Sequence, residues 1–482
     1  MQKKFIKNLA LVLLLNLLIK PYYVLGIEKN IQIVVGYEIY GSYYALFNFT
    51  FLLNILLDLG ITNFNNKNIS QNNHLLEKHL SSLIVLRLIL SFIYIAITFI
   101  IGWIIGYSFL QLSLLFILAF NQILISFISY LRSNLAGLHL FKTDSFISVL
   151  DRLIMIAICG TLLWGNITTQ KFQLSWFIYA QTSAYLLTAI ITLVVVLDKA
   201  RIKRLRWDLP FSLMILKKSY PYAVLVLLMA FYNRIDTVML ERFLPDGAQQ
   251  AGIYASAYRL LDAANMIAFL FAGLLLPMFA KMLKVKESVE ELVKLAFSLL
   301  VVPALIVGIG SFFYRYPLMD LLYQDHIAES AKVFGILMFC FVAISTTYIF
   351  GTLLTANGNL KELNLMAASG MLLNISLNII LITKYKAAGA AVVSLITQFV
   401  TAIAQVFLVQ YLFKFKINYR FLITLGVFII GVIIINLTSI SFYYTPKNGM
   451  FNFVCMVIAS FIYAFAIRIL SIKSMYNIMR NR

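Results

Sequence analysis

The sequence predicts an all-α integral membrane protein with about fourteen transmembrane helices. Of its 482 residues, 62% are hydrophobic and only 12% are charged, and the mean hydropathy is +0.91. Apolar runs of about 20 residues, each long enough to cross a bilayer as a helix, recur along the whole chain. A soluble protein carries about 25% charged residues. The composition therefore excludes a soluble enzyme, and it excludes a nucleic-acid-binding protein despite a net charge of +20.

The distribution of Lys and Arg predicts the orientation of these spans. With a cytoplasmic N-terminus, the inner loops carry roughly four times as many basic residues as the outer loops. A single missed span would exchange the inner and outer sides for all later loops, and this bias would then disappear. We therefore expect a multi-pass protein in contact with the lipid bilayer, with both termini in the cytoplasm.

Two short repeats indicate how the spans are grouped. Gly41-x-Tyr43 returns as Gly252-x-Tyr254, and a segment that runs from Leu135 returns at Leu354, at offsets of about 210 and 220 residues. Similar offsets at equivalent topological positions predict two parallel, pseudo-symmetric six-helix bundles around a central cavity.

The predicted boundaries follow from these bundles. The N-terminal bundle covers residues 1–198 and the C-terminal bundle 219–412, and two additional spans with a cytoplasmic tail cover 413–482. Residues 199–218 form a basic cytoplasmic linker in which Asp208 can cap a short amphipathic helix on the inner leaflet.

Three basic residues lie deep inside predicted spans: Lys20, Arg152 and Arg259. An isolated buried charge costs many kcal/mol, so cations at this depth favour a site for an anionic group. Two alternatives remain open. Asp262 lies one turn after Arg259 and can neutralise it, whereas Asp151 points about 100° away from Arg152 and needs a different partner. Arg87 lies shallower and could snorkel to the headgroups.

A second group of polar residues offers oxygen ligands. Asp236 lies near the outer end of the seventh span, Asn374 and Asn378 lie one turn apart on the eleventh, and Thr397 lies on the twelfth. Such ligands suit a hard cation such as Na⁺. Alternatively, the two asparagines form hydrogen bonds between helices.

Other residues favour structural roles. Tyr37, Tyr40 and Tyr44 share one face of the second span and are expected to anchor it at the membrane interface. The three cysteines lie in apolar runs without metal or disulfide spacing and are expected in the core. No metal site, nucleophile triad or phosphate-binding loop is recognisable, so we expect no enzymatic activity.

Several motifs resemble those of a known family. They are Asn233-Arg-Ile-Asp236, Gly252-Ile-Tyr-Ala-Ser-Ala-Tyr-Arg259, Leu354-Thr-Ala-Asn-Gly358-Asn-Leu-Lys361, Asn374-Ile-Ser-Leu-Asn378, Gly389-Ala-Ala and Asp58-Leu-Gly60. Up to about residue 412 the chain resembles bacterial polysaccharide flippases, which export O-antigen or capsule repeat units. These flippases belong to the multidrug/oligosaccharidyl-lipid/polysaccharide exporter superfamily.

The resemblance implies a function and a setting. It implies alternating-access transfer of undecaprenyl-pyrophosphate-linked oligosaccharides, as used for lipopolysaccharide or capsule, from the inner to the outer leaflet of the bacterial inner membrane. It also implies a monomer without cofactor, Na⁺ or H⁺ as coupling ion, and polysaccharide polymerase and chain-length machinery as partners. Similar flippases for the peptidoglycan precursor use cations on the first and eighth spans, which favours Lys20 and Arg259. They have a carboxylate where this chain has Asn378.

Two other functions compete with this hypothesis. A cation-coupled multidrug antiporter of the same superfamily usually has twelve spans and an acidic residue deep in the first span, where this chain has Lys20. A membrane glycosyltransferase or sugar polymerase would need carboxylates beside a lipid-facing cavity and typically a large outer loop, and the sequence shows neither.

Overall fold

Helices form nearly all of the described chain. The computed structural model describes residues 14–16, 18–62, 65, 69, 76–138, 140–165, 169–200, 207–415, 418–443 and 448–470, and these contain no strand. The first helical stretch passes through a π-helical turn, Tyr23–Glu28, into α1 (Lys29–Val35). The next helices are α2 (Tyr37–Leu52), α3 (Leu76–Ile105), α4 (Phe109–Gly137), α5 (Phe141–Trp164), α6 (Leu174–Ala200), α7 (Leu209–Phe243) and α8 (Gly247–Lys284). They are followed by α9 (Glu290–Phe313), α10 (Arg315–Leu322), α11 (Ile327–Asn357), α12 (Leu360–Phe413), α13 (Tyr419–Tyr443) and α14 (Gly449–Ala466).

Helices occupy most of the described residues in the predicted spans. Within the described residues, 11 helices are long and apolar enough to cross a membrane. One of them, α12, contains two predicted spans, and the first helical stretch and α2 account for two more, which together give the fourteen expected. The structure thus confirms an all-α, multi-pass membrane protein.

A sharp bend divides α12 into its two spans. Lys386 has φ 52° and ψ −135°, which no helical residue adopts. Three residues later, a Cβ on Gly389 would lie 2.1 Å from the carbonyl oxygen of Leu381. The Gly389-Ala-Ala motif therefore lets the two halves of α12 approach closely, which any larger residue would prevent.

The chain forms two compact units, Met1–Glu241 and Arg242–Arg482. The boundary lies in the last turn of α7, nearly one helix later than the linker predicted at 199–218. Part of that linker, residues 201–206, lies outside the described residues, as do 1–13 and the predicted tail at 471–482.

The start of α7 shows why this helix groups with the first unit. Asp208 accepts a hydrogen bond from the Phe211 N–H (3.0 Å), as predicted for a helix cap. However, α7 continues through Pro221 as one helix, so the predicted separate short helix is wrong. Gly60, with φ 81°, lies so close to Ser219 that a Cβ would be 2.9 Å from that residue's Cβ. The Asp58-Leu-Gly60 motif thus supplies the close approach that fixes α7 against the first unit.

The two units repeat one hydrogen bond. In the first unit, Gln181 of α6 donates to the hydroxyl of Tyr43 on α2 (2.8 Å). In the second unit, Tyr254 of α8 hydrogen-bonds with Ser394 in the second half of α12 (3.1 Å). Both tyrosines come from the repeated Gly-x-Tyr motif, and both link the second and sixth spans of a bundle. The pseudo-symmetry therefore extends to side-chain contacts.

Arg87 is buried in the first unit and does not snorkel, so that expectation is wrong. It forms an ion pair with Asp58 and donates to Thr62 Oγ1 (2.7 Å) and the Ser126 carbonyl (3.1 Å). Its guanidinium also lies 4.6 Å from the ring centroid of Tyr130. This set of partners satisfies the charge inside the unit, so Arg87 has a structural role.

Two further expectations need correction. Tyr37, Tyr40 and Tyr44 are all at most 8% exposed, and Tyr40 stacks on Tyr44 (6.2 Å between centroids). They therefore pack within the first unit and do not anchor it at the membrane interface. Among the cysteines, Cys159 and Cys340 are buried as predicted but Cys455 is exposed, because it lies on the outer face of α14.

An ion pair joins two connections of the second unit. Lys386, at the bend of α12, donates to the carboxylate of Asp246, between α7 and α8 (2.7 Å). Gln250 donates to the same carboxylate (3.1 Å) and accepts from the Ala387 N–H (3.3 Å). The Lys386 and Gln250 hydrogen bonds hold the pKa of Asp246 below its ordinary value of 3.8.

We predict that Arg87→Ala lowers the free energy of unfolding by about 3–5 kcal/mol, because it leaves Asp58 partly buried without a counter-charge. The matched control is Arg132→Ala, which breaks the more exposed pair with Asp144 and should cost about 1 kcal/mol or less. Thermal and denaturant unfolding of the purified protein measures both. Equal losses in the two variants would show that burial of the Arg87 pair is unimportant.

We also predict an acid-dependent contribution from Asp246. A carboxylate with a depressed pKa in the folded state stabilises the protein above its unfolded pKa, and this stability is lost as pH falls through the folded pKa. The difference in melting temperature between the wild type and Asp246→Asn should therefore shrink below about pH 4. Glu329, which lies beside His326, also acts on Lys386, so Glu329→Gln serves as the control. A constant difference at all pH values would contradict the prediction.

Candidate functional site

The first helical stretch and α5 bring two of the predicted cations together. Lys20 lies within Coulombic range of both Arg152 and Asp151. Asn16, one turn before Lys20, donates to Ser148 on α5 (3.1 Å), one turn before Arg152. This bond fixes the register of the two helices, so that Lys20 and Arg152 form one cationic cluster within the first unit.

Two tyrosines hold the Arg152 guanidinium. It lies 4.7 Å from the ring centroid of Tyr23 and 5.8 Å from that of Tyr185. Arg152 Nη1 also donates to the Tyr185 hydroxyl (3.1 Å) and contacts the Met155 sulfur (3.5 Å). These contacts fix the orientation of the guanidinium, and part of the side chain stays exposed.

Asp151 is the one acidic residue adjacent in sequence to this cluster. Contrary to the expectation that it points away, its Oδ2 lies 3.8 Å from Arg152 Nε. At that separation the pair lies outside hydrogen-bonding distance and is a weak ion pair. Glu28, at the end of the π-helical turn, also acts on Arg152, so the two cations Lys20 and Arg152 face two carboxylates, Asp151 and Glu28.

Exposure distinguishes Arg152 from the structural Arg87 in the same unit. The Arg152 side chain is 27% exposed, whereas that of Arg87 is 5% exposed. The partners of Arg87 come from α4 and from the segment that follows α2 and leave it almost fully buried, while those of Arg152 leave part of it accessible. Arg152 therefore combines a fixed orientation with access for a ligand.

Arg259 lies in the second unit, on α8. It is 4% exposed, and its Nη1 donates to the hydroxyl of Tyr323 (2.9 Å), which follows α10. Tyr323 in turn donates to the Ser256 carbonyl, one turn before Arg259 (3.4 Å). Asp262 lies one turn after Arg259 and is partly buried. The sequence did not indicate Tyr323, because it comes from a connection more than sixty residues away.

The residues of the predicted cation site fall in both units. Asp236, on α7, is fully buried in the first unit. Asn374, Asn378 and Thr397 are fully buried in the second unit, and Asn378 donates its amide to Asn374 Oδ1 (2.9 Å). That hydrogen bond lies within one helix, so it orients the two amides relative to each other.

The sequence did not identify the aromatic partners of Arg152 either. Tyr23 lies three residues after Lys20 and therefore on the same helix face, which was a usable signal. Tyr185 has no such signal, because only the packing of α6 on α5 brings it to the site. Among the described residues, no group of three or more His, Cys, Asp or Glu side chains could hold a metal ion.

Solved structures with a similar fold are transport proteins. The lipid II flippase MurJ in an inward closed conformation matches with a TM-score of 0.71 and 14% identity, over 95% of this chain and 98% of that one. An inward-facing multidrug resistance MATE family transporter of the MOP superfamily matches with a TM-score of 0.61 and 14% identity, over 82% and 96%. A MOP superfamily transporter from Pyrococcus furiosus matches with a TM-score of 0.59 and 16% identity, over 84% and 94%.

At such identities these matches show that the chain has the fold of the MOP superfamily. The comparison with curated proteins gives no match. The family model described as "Polysaccharide biosynthesis protein" matches residues 7–283, which is more than half of the sequence. The chain therefore belongs to this family of polysaccharide biosynthesis proteins.

Proposed function

We propose that this protein is a flippase that moves undecaprenyl-pyrophosphate-linked oligosaccharide repeat units from the inner to the outer leaflet of the bacterial cytoplasmic membrane by alternating access. Family membership supports a role in polysaccharide biosynthesis, and the fold is one that transporters use. The O-antigen and capsule pathways, with their polymerase and chain-length machinery, are the proposed context.

The observation that carries this proposal is the cationic cluster of Lys20 and Arg152. A lipid-linked sugar has a tail that is soluble in the bilayer and a pyrophosphate head that is not. An arginine oriented by Tyr23 and Tyr185 presents a planar fork that matches phosphate oxygens, and Lys20 adds a second charge. In this proposal Arg259 binds the head in the second unit, with Asp262 adjusting its charge.

The membrane potential can supply energy for this transfer. The cytoplasm is electrically negative, so outward movement of two negative charges is favourable by roughly 5 kcal/mol per 100 mV. This energy is gained if the head moves while the cations that bind it stay nearly in place. We propose Na⁺ or H⁺ as the coupling ion, with Asp236 in the first unit, or the Asn374, Asn378 and Thr397 group in the second, as candidate ligands. Carboxylate, amide and hydroxyl oxygens are suitable donors for Na⁺.

A multidrug antiporter is the second candidate, because MATE family transporters share the fold. Lys20, at the depth where such antiporters usually have an acidic residue, argues against cationic drugs as substrates, since like charges repel. Drug susceptibility of cells with and without the protein separates the two candidates. Increased resistance to cationic drugs, with no rescue of polysaccharide export, would favour the antiporter.

The variant Arg152→Ala tests the flippase proposal. A charge-assisted hydrogen bond is worth about 1.5–3 kcal/mol, so export should fall about tenfold or more. Arg152→Lys should keep part of the activity, because it retains the charge without the planar fork. The measurement is rescue of a flippase-deficient strain, with the lipid-linked intermediate quantified in the inner leaflet. Arg259→Ala is measured in parallel.

Lys199→Ala is the control for this experiment, because it removes an exposed basic residue of the same unit outside the cluster. It should leave export unchanged. Export at the wild-type level by a well-expressed Arg152→Ala protein would contradict the proposed site. Loss in Arg152→Ala together with normal export in Arg259→Ala would limit the head-binding site to the first unit.

The proposed orientation has its own test. In a background without the exposed Cys455, single cysteines at Pro245 and Gln324 should react with an impermeant thiol reagent in intact cells. Cysteines at Glu287 and Lys361 should react only after permeabilisation, because the positive-inside rule places them in the cytoplasm. All four positions are exposed. The opposite pattern would reverse the direction of the proposed transport.

A further inference from the structure

A cavity lies within the second unit where three helices end. It has a volume of about 400 Å³ and lies between the start of α9, the start of α13 and the residues that follow α14. This volume is in the range of ligand pockets, about 300–1,000 Å³. Its lining residues are Glu291, Lys294, Leu295, Ser298, Leu299, Asn418, Arg420, Phe421, Thr424, Ile467, Arg468, Ile469 and Leu470.

The rim of this cavity is cationic. Each of the three structural elements contributes one basic residue, Lys294, Arg420 and Arg468, and all three are exposed. Glu291 is the one acidic residue among the lining residues. None of the three cations forms an ion pair with another residue in the described part of the chain. Among the described residues, the rim therefore keeps a net positive charge.

Backbone hydrogen bonds define the helix ends that carry two of these cations, Arg420 and Arg468. Asn418 caps α13 by accepting from the Phe421 N–H (2.9 Å), which sets the first turn that carries Arg420. Arg468 has φ 59°, and the N–H of Ile469 closes the end of α14 on the Ala464 carbonyl (3.1 Å). The positive end of the α13 dipole adds to the charge at this position.

The floor of the cavity is apolar. Leu299, Phe421 and Ile467 are partly buried there, and Ile469 and Leu470 belong to the hydrophobic core between α9, α13 and α14. A free inorganic anion would use only the rim. A molecule with a negative head and an apolar body would use both the rim and the floor.

We propose that this cavity binds the phosphate headgroup of an anionic phospholipid, with Lys294, Arg420 and Arg468 as its ligands. The helix ends place the cavity at a membrane surface, and basic pockets between transmembrane helices are suited to anionic headgroups. The site is separate from the cluster proposed for substrate and is formed mainly by the two spans that follow the repeated bundles. Bound lipid would join α9 to α13 and α14.

The test is titration of the purified full-length chain in detergent with dioleoyl phosphatidylglycerol, followed by native mass spectrometry. Each cation should contribute about fivefold to the affinity, so the variant Lys294→Ala/Arg420→Ala/Arg468→Ala should bind about a hundredfold more weakly. The single variant Arg420→Gln should bind about fivefold more weakly, and it tests the proposal even if the triple variant fails to fold.

The matched control is Lys281→Ala/Lys284→Ala/Lys361→Ala, which removes three exposed cations of the same unit outside the cavity. It should change the affinity less than about twofold. Equal weakening in both triple variants would overturn the proposal, because the effect would then come from general surface charge. Binding of phosphatidylcholine with equal affinity, or full competition by millimolar inorganic phosphate, would also overturn it.

Discussion

Hydrocarbon offers no hydrogen-bond partner, so every polar group inside a membrane protein must find its partner in the protein or in a water-filled space. This constraint explains why the described backbone is helical almost throughout. The same constraint distinguishes two arginines of the first unit, Arg87 and Arg152. Arg87 is surrounded by Asp58, Thr62 and Ser126, whereas Arg152 contacts Tyr23 and Tyr185 and stays partly exposed. The difference in partners, rather than in depth, gives Arg87 a structural role and is the reason for proposing Arg152 as a ligand for the substrate.

The two bundles satisfy buried polar groups in the same way at equivalent positions. Tyr43 with Gln181 and Tyr254 with Ser394 each satisfy a buried hydroxyl between the second and sixth spans. Gly60 and Gly389 mark places where backbones approach too closely for a side chain. Motifs that identify the family by sequence are thus positions where helix packing admits few alternatives.

The basic residues discussed above form three separate groups. Lys20 with Arg152 lies inside the first unit, Arg259 with Tyr323 lies inside the second, and Lys294, Arg420 and Arg468 lie at the helix ends. Charges within the units are held by aromatic or hydroxyl partners, because solvent does not reach them freely. Those at the ends need no partner in the protein, which leaves them available for phosphate groups of the surrounding lipid.

Composition and periodicity were sufficient for the all-α class, the fourteen spans and the repeat, because each span must be apolar over its whole length whatever it packs against. The sequence also indicated Arg152 and the Asp208 cap, which depend on local position. Only the tertiary structure decided that Arg87 is paired, that Tyr37, Tyr40 and Tyr44 are internal, that α7 belongs to the first unit, and that Tyr185 and Tyr323 hold the arginines. Those outcomes depend on which helix faces meet, and in a chain that is apolar on nearly every face, hydrophobic periodicity carries little information about that choice.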